Sequence, residues 1–150
     1  LVVKEGDPEL LGTYFKDILY RDIIARYKIS QVEAIRQIGI YFASNIAKLF
    51  SYATLQSISG VKSTASINDY LHYYTQAYLF FYLRKFDYSL KKQILNPRKA
   101  YAVDQGLANR LGFGFSTNKG RLLENIVYLQ LLRLKVEPFY HSNKGDWVIG

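Results

Sequence analysis

Between Arg84 and Lys99 the chain carries six cations, Arg84, Lys85, Lys91, Lys92, Arg98 and Lys99, against one anion, Asp87, for a local charge of +5. This is more than half of the formal net charge of +8. Such a cluster attracts phosphate oxygens or another acidic surface. It suits non-specific contact with a DNA or RNA backbone, and equally a solvated or protein-facing basic surface. Other chemistry is sparse. His72 and His141 lie far apart without metal-ligand spacing, and the absence of cysteine excludes thiolate metal sites and disulfides. No G-x-x-x-x-G-K-[ST] phosphate loop occurs, so no ATP site of that kind is expected in this chain.

The elements that would position these residues are mostly helical. Asp7-Pro8 reads as an N-cap and first helical position, opening a helix to Lys28 with Asp17/Arg21 and Asp22/Arg26 as i,i+4 pairs. Ser30-Gln31-Val32-Glu33 reads as a capping box, and Val32, Ile35, Ile38, Phe42, Ile46 and Leu49 form a helical stripe. A short helix from Tyr52 to Ile58 ends at Gly60, and another runs from Ser63 or Thr64 to Ala77. Leu79 to Phe86 then reads as a strand, a loop holds Asn96-Pro97, and Lys99 to Val103 reads as the partner strand. This order is that of a winged helix-turn-helix over residues 29–104, after an entry helix over residues 1–28. Ile35, Phe42, Ile46, Ile67, Leu71 and Tyr74 are expected in one core.

The candidate recognition helix, Ser63 to Ala77, has no Lys or Arg and contains Asp69. Its Ser63, Thr64, Ser66 and Asn68 can touch phosphates but bring no charge, so the cations of the wing are the expected nucleic-acid contacts. The aromatic block from Tyr70 to Tyr82 has the spacing of core rather than of a base-stacking platform.

A content of 49% apolar residues fits a folded protein. The run Leu79-Phe80-Phe81-Tyr82-Leu83 falls far short of the about 20 residues that span a bilayer. Leu1 and the lack of methionine suggest a piece of a longer protein, and without a signal peptide the expected location is cytoplasmic.

Beyond Asp104 the pattern changes. A short helix is expected over Gln105–Leu111, a glycine loop follows, and a strongly apolar helix spans Gly120–Leu134. Val136–His141 reads as a strand, Ser142–Gly145 as a hairpin turn and Asp146–Ile149 as the start of another strand. The expected fold is therefore mainly α with a small β part. Its last third, residues 105–150, reads as the beginning of an α/β unit.

Four strings in order carry a family resemblance. They are Tyr14-Phe15-Lys16-Asp17-Ile18-Leu19-Tyr20-Arg21-Asp22-Ile23-Ile24, Leu90-Lys91-Lys92-Gln93-Ile94-Leu95-Asn96-Pro97-Arg98-Lys99, Asp104-Gln105-Gly106-Leu107-Ala108-Asn109 and Gly120-Arg121-Leu122-Leu123-Glu124-Asn125-Ile126-Val127. Together they resemble the C-terminal domain of unknown function of bacterial and archaeal AAA-type ATPases. The resemblance implies a winged helix followed by a PD-(D/E)XK nuclease-like fold, with ATP and Mg²⁺ bound by an ATPase domain before Leu1.

It further implies that Glu124 matches the helix acid and Asp146 the strand Asp of a Mg²⁺ site. Such a site also needs an acid-x-Lys strand, which this sequence lacks. Lys144-Gly145 precede Asp146, where the family carries a Glu and an apolar residue. Glu124 equally suits a paired structural acid. The expected function is a non-catalytic module of an ATP-binding protein, recognising a partner or contacting nucleic acid through the basic wing. The alternatives are a nuclease completed by residues beyond 150, and a pure protein-interaction or assembly module.

Overall fold

A computed structural model of the chain describes residues 8–104, 106, 119–143 and 146–149. It is mainly helical with a small mixed sheet. Helix α1 (Pro8–Asp17) runs into a π-helical segment, Ile18–Ala25, and together they bury Phe15, Ile18, Leu19 and Ile23. The predicted cap Asp7 lies outside the described residues. The i→i+5 bonding of a π segment moves residues four apart out of register. Arg21 accordingly hydrogen-bonds its neighbour Asp22 at 3.2 Å, in place of the expected i,i+4 pairs.

Helix α2 (Val32–Ser44) buries Ile35, Ile38 and Phe42 of the predicted stripe and ends before Ile46 and Leu49, so that Leu49 stands in a short strand and is exposed. The expected capping box does not form. Gln31 is the N-cap but its side chain does not cap the helix, accepting instead from the Tyr70 hydroxyl, and Glu33 accepts from Arg36 at 2.9 Å and Gln37 at 2.7 Å. A carboxylate gripped by two donors further along its helix cannot also reach back to the chain start. Strand β1 (Leu49–Phe50) leads to α3 (Tyr52–Ser59), capped by the Ser51 hydroxyl and closed by Gly60 at φ 74°. Helix α4 (Thr64–Gln76), capped by Ser63, turns Ile67, Tyr70, Leu71 and Tyr74 inward. Ile35, Phe42, Ile46, Ile67, Leu71 and Tyr74 are all at most 2% exposed and share one core. The Tyr74 hydroxyl donates to the Ile35 carbonyl and ties α4 to α2.

Strand β2 (Phe80–Lys85) pairs antiparallel with β3 (Arg98–Ala102), and β3 pairs antiparallel with β1. The connection between β2 and β3, expected to be a loop, contains a helix, α5 (Leu90–Leu95). Six residues are too few for a periodic apolar face to reveal them. After β3 the predicted helix Gln105–Leu111 falls outside the described residues, apart from Gly106. Helix α6 (Lys119–Arg133) precedes β4 (Phe139–Asn143) and β5 (Asp146–Ile149). The strand predicted from Val136 begins only at Phe139, because α6 ends in a turn with Lys135 at φ 58°. The sheet order is β1-β3-β2-β4-β5, with β4 parallel to β2. One sheet thus takes strands from both sides of residue 104.

Candidate docking surface on the β2–β3 hairpin

Two of the six clustered cations turn inward. Arg98 is 7% exposed, and its Nη2 donates to the Ile94 carbonyl at 3.2 Å and to the Tyr52 hydroxyl at 3.3 Å. Burial lowers its pKa from the ordinary value, an effect that Tyr52 opposes and Arg84 reinforces. Tyr52 in turn donates to Asn68 at 2.9 Å, so Arg98, Tyr52 and Asn68 link the hairpin to α4. Lys99 pairs with Glu124 at 2.7 Å, with the lysine side chain 12% exposed.

The other four, Arg84, Lys85, Lys91 and Lys92, have side chains that no hydrogen bond or ion pair holds among the described residues. Arg84, Lys91 and Lys92 are exposed and Lys85 is half-buried.

Helix α5 carries this surface. None of its residues is buried, so packing does not hold it. Local polar bonds do. Asp87 Oδ1 accepts the Ser89 N–H at 2.9 Å, the Ser89 hydroxyl accepts the Lys92 N–H at 3.4 Å, and Gln93 Nε2 donates to the Asp87 carbonyl at 2.6 Å. Arg98 ties down the other end through the Ile94 carbonyl. Isolated helices of this length are unstable in water. Here the sequence uses four side chains to hold one that presents Leu90, Ile94 and Leu95 to solvent. Tyr88 beside them is 98% exposed, its ring edge-on to Phe86 at 5.2 Å, and Phe86 meets Phe139 at 6.2 Å.

Phe139 and Arg84 also line a cleft of about 630 Å³ between α4, β2, α6 and β4. Asp69, His72, Phe81 and Glu137 stand in its other walls. The polar start of α4 is partly committed, since Ser63 serves as the N-cap and Asn68 accepts from Tyr52.

The residues suggested for a metal site are arranged differently. Glu124 Oε1 accepts from Lys99 Nζ at 2.7 Å and from the Tyr101 hydroxyl at 2.6 Å. Burial, then the hydrogen bond to Glu124, pushes the Tyr101 phenol well above its usual pKa. Glu124 Oε1 is thus shared by an ammonium and a phenol, and one carboxylate so engaged falls short of the several oxygen ligands Mg²⁺ takes. Asp146 lies on β5 opposite Asn143, and its side chain is outside the described structure. Among the described residues, no group of three or more His, Cys, Asp or Glu is placed to hold a metal.

Sequence reasoning missed two organising residues, Tyr52 and Asn125. Their polar groups gave no local signal, since their partners Arg98 and Ala102 lie 46 and 23 residues away in the chain.

Comparison with known proteins places the chain. The family described as "Domain of unknown function (DUF8612)" matches residues 3–119. The chain belongs to this family. The DUF8612 region thus takes in the hairpin and its cations. An uncharacterized protein of Methanocaldococcus jannaschii, MJ1544, is 36% identical over 129 residues, covering 83% of this chain and 28% of that protein. An uncharacterized protein of Haemophilus influenzae is 27% identical over 128 residues, covering 83% of this chain and 32% of that protein. The chain spans about a third or less of the length of these relatives. No solved structure matches. Among the described residues, no helix is long and apolar enough to cross a membrane.

Proposed function

We propose that this DUF8612 chain is a non-catalytic module of a longer ATP-binding protein, and that its β2–α5–β3 wing docks a protein partner. The observation that carries this reading is α5, a helix held by its own caps with no buried side chain, exposing Leu90, Ile94 and Leu95. A patch of apolar surface held rigidly toward water marks an interaction site. The element order from α2 to β3, with β1 beside β3, supports the finer description of this part as a winged helix. The AAA-type parent rests on the four sequence strings and on the greater length of the relatives. A cytoplasmic setting suits a chain without cysteine.

The reading is tested with p-benzoylphenylalanine at position 88 of the longer protein, irradiated in its native cell. A discrete, protease-sensitive adduct that vanishes in Leu90→Ser/Leu95→Ser is expected. An adduct sensitive only to nuclease, or none at all, would remove it.

A second reading, non-specific nucleic-acid contact, is favoured by the four cations that no side chain holds among the described residues. It requires affinity that ignores sequence and falls with salt at a log–log slope of about −0.9 per phosphate, roughly −3.6 for four contacts.

A further inference from the structure

We infer that the partner segment is acidic and amphipathic, lying along α5 and inserting one uncharged aromatic or aliphatic side chain into the cleft beside Phe139. This inference rests on the wing being a protein-docking surface. Three observations lead from that surface to the chemistry of its occupant.

Charge and apolar area interleave on α5. Lys91 and Leu95 are i,i+4 neighbours, as are Leu90 and Ile94, so both kinds of group face one direction of approach. A partner that covers the leucines also meets Lys91 and Lys92, with Arg84 and Lys85 at the adjoining end of β2. The one acid within the hairpin, Asp87, is used in capping α5, with its side chain on Ser89 and its carbonyl on Gln93. The hairpin itself has no further acid to set against these cations, so the partner that complements them carries carboxylates spaced among apolar residues.

The crest continues into the cleft. Tyr88, Phe86 and Phe139 form an edge-to-face series, and Phe139 is a wall of the cleft, which is ample for an inserted side chain. Its lining sets Asp69 and Glu137 against Arg84 and Arg98, a balance of two acids and two cations. With no net charge in the walls, the anchor that suits the cleft is uncharged.

Nucleic acid fits this surface less well. Tyr88 offers a base one ring, but Leu90, Ile94 and Leu95 beside it give phosphates and bases nothing.

The test is fluorescence anisotropy of the 150-residue chain with four probes: a helical peptide of ~18 residues with Leu and Glu in amphipathic order, its scrambled isomer, its Lys-for-Glu counterpart and duplex DNA. The amphipathic acidic peptide should bind best. Leu90→Ser/Leu95→Ser should weaken it by about tenfold or more, and Lys91→Glu/Lys92→Glu should reverse the preference toward the lysine peptide. All four side chains are exposed, so circular dichroism should report an unchanged fold. Equal binding of the scrambled peptide, tighter binding of DNA, or no reversal would overturn the inference. If no peptide binds while the position-88 adduct persists, the partner is not acidic but the docking reading stands. Loss of both removes the docking reading as well.

Discussion

The Asn125 side chain spans Ala102, its Oδ1 accepting the Ala102 N–H and its Nδ2 donating to the Ala102 carbonyl, both at 2.9 Å. β1 reaches along β3 only as far as Arg98 and Lys99, so beyond it this edge of β3 has no strand partner. The buried amide takes the place of the missing strand and docks α6 against the sheet. Tyr101 and Tyr128 stack beside it at 4.1 Å.

Asn125→Ala should therefore destabilise the fold by about 2–4 kcal/mol, because two buried backbone groups lose their partners at once. Asn125→Asp should be no milder, since a carboxylate cannot donate to the Ala102 carbonyl. Urea unfolding followed by circular dichroism measures both. A loss below about 0.5 kcal/mol for Asn125→Ala would mean the bridge contributes little.

Glu124 ties α6 to β3 by accepting from Lys99 and Tyr101. Glu124→Gln should cost about 1–3 kcal/mol of stability. The chain with Mg²⁺ should leave plasmid DNA intact with or without the substitution. Cleavage by the unaltered chain that disappears in Glu124→Gln and in Asp146→Asn would restore the nuclease reading.

Alkaline pH should unfold the protein. Tyr74 and Tyr101 are fully buried with phenols pushed well up, and burial takes Tyr128 up to about 12. Above the ordinary tyrosine pKa, near 10, the unfolded chain releases these protons while the folded chain keeps them. Their contribution is complete below about pH 10 and declines above it, by up to about 1.4 kcal/mol per pH unit for each phenol. Absorbance at the tyrosinate band should show these three ionising together with unfolding, not before it.

Lys135→Gly should stabilise the chain by about 1 kcal/mol. Lys135 is exposed and closes α6 at φ 58°, with its N–H on the Leu132 carbonyl and the Val136 N–H on that of Leu131. This is a Schellman ending, in which glycine avoids the Cβ penalty of the left-handed region. Thermal unfolding should show a rise in midpoint. Gly60→Ala, at φ 74° with open space around it, should show a fall of similar size.

Helices α2, α3 and α4 and the strands β2 and β3 were legible in the sequence alone. Periodic apolar faces, Ser63 as a cap and Gly60 as a stop are local signals that depend only on neighbours along the chain. The core set Ile35, Phe42, Ile46, Ile67, Leu71 and Tyr74 followed from the same periodicity. The charge of the hairpin was equally plain. Which of its cations remain available was not, because Arg98 and Lys99 find Tyr52 and Glu124 at sequence separations of 46 and 25. Ser30 and Glu33 have the spacing of a capping box, yet only the folded chain shows Glu33 held by Arg36 and Gln37. Helix α5 was hidden for a related reason. It has no buried face to imprint a period on the sequence, and its far end is tied by Arg98 of the next strand. Composition and periodicity record what each residue prefers, whereas tertiary contacts between distant segments decide which polar groups are consumed and which stay exposed to a partner.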